Sequence, residues 1–348
     1  MTTMHAAVFY GPSDLRLQEV EVPAIGEGEI LLRVRAAGIC GTDVRILKGA
    51  KRIIPPRIIG HEVAGEIVEV GPGVEGLHVG QRVAVEPIIP CGRCPLCLKG
   101  RRNICLTRPT LGDHYDGAFA SYVRVPATAV AAGNVVPLPP NLSYEEGAFA
   151  EPLAACINGI DRCSIHLGDT VLILGAGPIG LVHLLLSRAA GAGRIFVSEP
   201  HTERRSIALE LGADEVMDPL KEGVVDRVRR WTDGLGADVV IVAIGAPAAM
   251  ESAIEAVRKG GVVNIFAGSA PDARFPCDPN RIHYGEIALT GSSGHTADHL
   301  RRALELMSQG SLDARRLITH RFDFHEIHRA LAAREALEGL KHVVILPG

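Results

Sequence analysis

Three groups of residues in this sequence have the types and spacing to do chemistry. The densest is Cys91, Cys94, Cys97 and Cys105, set among Gly92, Arg93, Lys99, Gly100, Arg101 and Arg102. Four thiolates at this spacing close a tetrahedron around zinc and leave no position open, so such a metal is structural. The basic neighbours suit a site that carries net negative charge. An iron–sulfur cluster is the alternative, because four thiolates also hold one. Redox disulfides are the third reading.

The second group lies in Thr170–Glu199, TVLILGAGPIGLVHLLLSRAAGAGRIFVSE. Val171–Leu174 is a β-branched apolar run short enough for a buried strand. Gly175-Ala176-Gly177-Pro178-Ile179-Gly180 follows, then an apolar helix to Ala190, a glycine break, and a second strand at Ile195–Ser198 that ends on Glu199. Strand, turn, helix, strand and a closing acid is the dinucleotide fingerprint. Gly175 allows the tight turn and Gly177 lets backbone approach a pyrophosphate. Pro178 and Ile179 open the helix whose N-terminus faces the anion, and Gly180 lets that helix pack on the strand. A glycine-rich βα turn with no ligand is the bland alternative.

The third group is dispersed. Cys40 lies in Gly38-Ile39-Cys40-Gly41-Thr42-Asp43, His61 and Glu62 come some twenty residues later, and Glu151 sits far downstream in Ala150-Glu151-Pro152. One thiolate, one imidazole and one or two carboxylates suit a catalytic zinc, which keeps a position open for water or substrate. Singly, a cysteine in a β-rich segment packs in the core, and a lone histidine or glutamate sits at the surface.

The chain that must position these groups has 348 residues, 47% of them hydrophobic, which is ample for two domains. Its net charge of −4 includes no long run of one sign, so nothing draws it to nucleic acid or an anionic membrane. MTTMHAAVFYG lacks the basic and apolar regions of a signal peptide, and no apolar run reaches membrane-spanning length. A cytoplasmic location is expected. The other four of the eight cysteines, Cys40, Cys156, Cys163 and Cys277, are scattered, so the cluster reads as metal ligation before disulfides.

Residues 1–150 read as β-rich and irregular, with strands at Ala6–Phe9, Glu29–Ala36, Glu62–Val70 and Arg82–Val85. From about Leu153, strands alternate with helices. Val171–Leu174, Arg194–Ser198, Glu215–Met217, Asp238–Ala243, Val262–Ala267 and Ile287–Thr290 make six candidate strands of an α/β, doubly wound, parallel sheet. Beyond Gly294, His299–Gln309 and Phe324–Leu340 read as helical and Val343–Leu346 as extended. The expected division is therefore 1–152 with 294–348 as a β-rich domain carrying a metal lobe at about 90–106, and 153–293 as the dinucleotide-binding domain.

Read jointly, CGTD at Cys40–Asp43, GHE at Gly60–Glu62, the lobe at Cys91–Cys105, EPLA at Glu151–Ala154 and GAGPIG at Gly175–Gly180 resemble the zinc-containing medium-chain dehydrogenase/reductase family, the relatives of alcohol dehydrogenase. The resemblance runs over essentially the whole chain. It implies a GroES-like catalytic domain, completed by the chain's end, around a Rossmann domain. It also implies two zinc ions per subunit, NAD as cofactor, a small-molecule alcohol substrate and a homo-oligomer, either dimer or tetramer. Glu151 stands where ethanol-type members carry a second thiolate, which looks like the sorbitol (polyol) and threonine dehydrogenase branches. In those branches Cys40, His61 and Glu62 lie near the catalytic zinc, with Glu151 bound directly or through water. An exchangeable oxygen ligand there favours a diol, polyol or sugar alcohol.

The reaction so implied is hydride transfer between a secondary alcohol and NAD, with Thr42 taking the alcohol's proton. Glu199 should hydrogen-bond the adenosine ribose and repel a 2′-phosphate, favouring NAD over NADP. Arg204 joins the cofactor set, and it and Arg205 either counter that repulsion or only solvate the next helix. Family members usually carry a histidine where this chain has Arg45, which cannot shuttle protons. Arg45 therefore either holds an anionic group or is an arginine paired at the surface. His114, Tyr115 and His295 lie in segments that approach the active-site cleft in the family. L-threonine 3-dehydrogenase-like oxidation of an amino alcohol, a non-catalytic metal-binding member, and a zinc lyase or isomerase with tightly held NAD are the other readings.

Overall fold

The computed structural model describes residues 2–347, and these residues divide into two units. One holds the chain up to Ala154 and from Gly294 onward; the other is Ala155–Ser293. The first unit opens with a hairpin of β1 (Thr3–Gly11) and β2 (Asp14–Glu21), followed by β3 (Ile30–Ile39), β4 (Arg57–Ile58), β5 (Glu62–Val70), β6 (Arg82–Val85), β7 (Tyr122–Val125) and β8 (Val135–Pro137). β2 escapes the sequence reading because its charged residues obscure the alternation, and β1 runs past the expected Ala6–Phe9 at both ends.

β3, ILLRVRAAGI, is the axis of this unit. It is almost continuously apolar because both faces are covered, and it pairs antiparallel with β5. The register sets Gly38 opposite Glu62. Cys40, just past the end of β3, and His61, just before β5, therefore meet at one end of the sheet. A Cβ at Gly38 would fall 1.9 Å from Glu62 Oε2, so glycine is what admits the glutamate side chain there. Ile30, Leu32, Val34, Ile67, Val83, Phe119 and Val123 form the core, each buried aliphatic contributing roughly 1.5–3 kcal/mol.

A helix spans Tyr144–Ile160 with Pro152 inside it. Ser143 and Glu146 cap its start: Glu146 Oε2 accepts the Ser143 N–H at 2.9 Å, and Ser143 Oγ accepts the Glu146 N–H at 3.2 Å. Glu151 is thus a mid-helix residue, although a residue before proline usually marks an element boundary.

The second unit is built on β9 (Thr170–Leu174), β10 (Arg194–Ser198), β11 (Glu215–Met217), β12 (Ala237–Val242), β13 (Val257–Ile265) and β14 (Ala288–Gly291). All are parallel, in the order β11-β10-β9-β12-β13-β14. This is the doubly wound Rossmann order, and the direction of winding reverses between β9 and β12, where such sheets bind ligands. β13 starts five residues before the expected Val262 and carries a register shift opposite Ala237–Val239.

Several core side chains of this unit are polar, and one of them is a histidine. His183, on the helix Pro178–Ala189, is fully buried, with its ring edge-on to Phe266 at 4.5 Å and no hydrogen bond to a described residue. Burial pushes its pKa down to about 3. In the unfolded chain the imidazole takes a proton near pH 6.5, so the unfolded state binds the extra proton first and stability falls as pH drops from there towards 3. Between pH 7 and pH 5 the loss should be about 2 kcal/mol. In urea unfolding at both pH values, His183→Leu should remove that part of the pH dependence; an undiminished dependence would exclude His183 as its source.

The chain then returns to the first unit through the helix Ala297–Ser308, β15 (Ile318–Asp323), the helix Ile327–Glu335 and β16 (Lys341–Ile345). β16 pairs antiparallel with β3, setting Val343 opposite Gly38, so the chain's end completes a sheet ordered β15-β16-β3-β5-β6-β8, with β7 also on β3. The helix expected over 324–340 is shorter. A 3₁₀ turn occupies Phe324–Glu326, the α-helix stops at Glu335, and the chain turns back through Leu337 and Gly339, both at positive φ. That turn is needed to bring Lys341 to β3. Among the described residues no helix is long and apolar enough to cross a membrane.

Candidate metal and cofactor sites

Cys40 caps the short helix Gly41–Leu47, and its backbone N–H donates to Asp43 Oδ2 at 2.8 Å. The other Asp43 oxygen lies 3.5 Å from His61 Nδ1. A carboxylate on one ring nitrogen orients a histidine so that its other nitrogen is available to a metal. Donor atoms of Cys40, His61 and Glu62 lie within 4.8 Å of one another. Burial works against a charged His61 ring, but the Cys40 thiolate and Asp43 outweigh it and hold its pKa well above the usual value. The pocket attracts a cation, and thiolate plus imidazole is a donor set that fits zinc. The sequence signal for Asp43 is its three-residue step back to Cys40, a helix capping box.

Glu62 has a second partner that the sequence reading missed. Lys341 at the start of β16 is only 5% exposed; its Nζ donates to the Ile39 carbonyl at 3.0 Å and pairs with the Glu62 carboxylate. A lysine inside an apolar strand was the available signal, but only sheet pairing says what it meets.

Glu151 stands outside the three-residue cluster. Its Oε1 is 3.7 Å from His295 Nε2, and that nitrogen is 3.0 Å from Glu86 Oε2. Burial raises the Glu151 pKa, while His295 and His61 pull it back. For His295, burial opposes the charge, but Glu86 and Glu151 prevail and raise its pKa. His295 is 1% exposed, so it is no exposed loop residue.

In the lobe, Sγ–Sγ separations are 4.0 Å for Cys91–Cys97 and 3.9 Å for Cys94–Cys105. Tetrahedral Zn–S bonds of 2.3 Å require about 3.8 Å. The core of an iron–sulfur cluster would hold the four sulfurs further apart, and disulfides would bring pairs much closer. All eight cysteines are free thiols. N–H groups of Cys91, Cys94 and Cys97 donate to Cys105, Cys91 and Cys94 sulfurs, which stabilises thiolates before any metal arrives. Cys97→Ser should leave the Cys40–His61 site able to bind metal while lowering Tm or disrupting assembly, because an incomplete tetrahedron loses folding energy. Loss of activity with Tm and assembly unchanged would reverse the division between the two sites.

In the second unit, Gly175 has φ +103°, which side chains rarely adopt, and a Cβ on Gly180 would lie 1.8 Å from the Gly175 carbonyl oxygen. Gly177 differs. It precedes the helix at ordinary φ, and a Cβ there would meet nothing within 4 Å. Protein packing therefore does not demand glycine at this point, whereas close approach of a phosphate would. Glu199 is buried, accepting the Ala176 N–H at 2.8 Å and the His201 N–H at 3.0 Å. Arg205 is tied to the Glu199 and Pro200 carbonyls and to Asp218. Arg204 lies in the first turn of the helix Thr202–Glu210.

The remaining candidates scatter. Arg45 is exposed and makes no ion pair with a described residue, so it is not the paired surface arginine. His114 is exposed beside Asp113, at 3.7 Å. Tyr115 lines a cavity of about 330 Å³ with Tyr10, Arg57 and Tyr122, and neither Cys40 nor His61 borders it.

The alcohol dehydrogenase GroES-like domain family matches residues 26–139, and the zinc-binding dehydrogenase family matches residues 178–309. The chain is 40% identical over 311 residues to the L-threonine 3-dehydrogenase of Pyrococcus furiosus, covering 88% of this chain and 87% of that one. It is 33% identical over 337 residues to the sorbitol dehydrogenase of Bacillus subtilis, covering 94% and 92%. A protein of Sinorhizobium meliloti 1021, regarded as a zinc-binding dehydrogenase and solved with bound NADP, superposes with a TM-score of 0.93 at 34% identity, covering 99% of this chain and all of that one. The chain belongs to the zinc-containing medium-chain dehydrogenase family. It is a zinc-dependent alcohol oxidoreductase that works with a nicotinamide dinucleotide.

Proposed function

We propose that the protein oxidises a secondary alcohol flanked by a second hydroxyl, in a diol, polyol or sugar alcohol, with NAD as hydride acceptor. Glu151 carries this reading: it is a carboxylate where ethanol-type members carry a second thiolate, and it lies near enough to His61 to feel the charge of that ring. Zinc bound there supplies Lewis acidity that lowers an alcohol's pKa. Cys40 and His61 would hold it, with Glu151 as the exchangeable oxygen donor, and Glu62, the third member of the donor cluster, has its charge balanced by Lys341. The Thr42 hydroxyl accepts the alcohol's proton and passes its own on towards the cofactor ribose and solvent. Gly175, Gly177, Pro178, Ile179 and Gly180 receive the pyrophosphate, and Glu199, with Arg204 nearby, takes the ribose. Because Arg205 is already occupied, little opposes the repulsion of a 2′-phosphate by Glu199. Cys91, Cys94, Cys97 and Cys105 hold the structural zinc, and the chain assembles as a homo-oligomer. The sorbitol dehydrogenase relative supports a polyol.

A second reading rests on the threonine dehydrogenase relative and on Arg45, which meets no ion-pair partner among the described residues and whose guanidinium suits a substrate carboxylate. NAD reduction across polyols, inositols, sugars and L-threonine separates the two. Glu151→Cys should shift kcat/KM from vicinal diols towards simple alcohols, and Glu151→Gln should lower zinc content and kcat with little change in KM for NAD. If both variants keep wild-type metal content and diol preference, the polyol reading falls.

A further inference from the structure

Glu86 and His295 are buried, titratable and unused by the chemistry described so far. Glu86 lies directly after β6 and is fully buried. Its Oε1 accepts the Ile88 N–H at 3.0 Å, its backbone N–H donates to the Asn134 carbonyl at 2.8 Å, and Asn134 Nδ2 donates to the Glu86 and Ile88 carbonyls at 2.9 and 2.8 Å. With one oxygen and its backbone held, the carboxylate has one oxygen left to present, Oε2, at 3.0 Å from His295 Nε2. The same nitrogen lies 3.7 Å from Glu151 Oε1. A buried carboxylate is retained at such a cost only when it has a partner. The partner here leads straight to the proposed metal donor.

We infer that Glu86 and His295 are positioning residues for Glu151: the imidazole is packed between the two carboxylates, its Nε2 at 3.0 Å from Glu86 Oε2 and 3.7 Å from Glu151 Oε1, and so holds Glu151 facing the Cys40–His61 pair. The inference rests on the reading of Glu151 as an exchangeable zinc donor. Without the imidazole, the Glu151 side chain keeps the helix position but loses the contact that selects its rotamer. Outer partners of this kind change metal affinity by about 10–100-fold when removed.

The test uses the full-length protein loaded with zinc or cobalt. His295→Leu and Glu86→Gln should each weaken the one-thiolate metal site about tenfold in chelator competition. They should also alter the visible spectrum of cobalt at that site, which its weaker sulfur charge-transfer band separates from the four-thiolate lobe. kcat should fall about as far while KM for NAD stays put. His295→Gln, which returns an N–H near the Nε2 position, should restore affinity and spectrum. In a Glu151→Ala background, His295→Leu should change neither. The inference is overturned if His295→Leu lowers only Tm, or if it weakens metal binding equally with and without Glu151. Should Glu151→Ala by itself leave affinity and spectrum at wild-type values, the donor reading of Glu151 fails, and this inference with it.

Discussion

Lys341→Met is expected to destabilise the protein by about 3–5 kcal/mol, because it strands the Glu62 carboxylate in a buried site. Lys341 is the cation recorded against that carboxylate, and its second bond, to the Ile39 carbonyl, ties the start of β16 to the end of β3. Methionine keeps the length and loses the charge. Glu62→Gln added to Lys341→Met should recover most of the loss, since a neutral pair no longer leaves an ion in low dielectric. Urea midpoints of the two single variants and the double variant, read as a cycle on metal-free protein, give the coupling. Additive effects would mean that the pair contributes nothing as a pair. Repeating the cycle with zinc loaded tests Glu62 further: a donor close to the metal gains a second cation, so the cost of Lys341→Met should shrink.

The same substitution at two positions of the glycine turn should have opposite consequences. Gly180→Ala forces a methyl to within 1.8 Å of the Gly175 carbonyl oxygen, so helix and strand must part. Overpacking of this kind costs about 1–3 kcal/mol or more. Gly177→Ala meets no protein atom and has an ordinary φ, so stability should hold or rise by about 0.4–1 kcal/mol through the unfolded chain. Cofactor binding should nevertheless weaken by at least about tenfold, because a methyl stands where phosphate oxygens approach the backbone. Thermal unfolding and dinucleotide titration on both variants check this. If Gly177→Ala binds NAD as the wild type does, the pyrophosphate is not received at this turn.

What the sequence determined by itself was local. Four cysteines within one short segment can only be neighbours, so their spacing announces a metal lobe before any fold is known. A six-residue glycine turn between an apolar strand and a helix likewise carries its own geometry, and alternating strands and helices imply the parallel sheet. Cys40, His61 and Glu151 have donor chemistry that suits zinc, but no periodicity links residues so far apart, and only the family's motifs single them out as one set. The tertiary structure alone decided what the buried charges meet. Glu62 and Lys341 are 279 residues apart and come together because β16 and β5 both lie against β3. Glu86, His295 and Glu151 converge from a strand end, a loop and a helix interior. The early stop of the helix Ile327–Glu335 belongs to the same class: its pattern permitted a longer helix, and the turn at Leu337–Gly339 exists because the strand beginning at Lys341 must reach β3. The physical reason is common to all three. Hydrophobic period records which face of an element is buried, whereas the partner of a buried ion is set by strand order and register, which no local stretch of sequence contains.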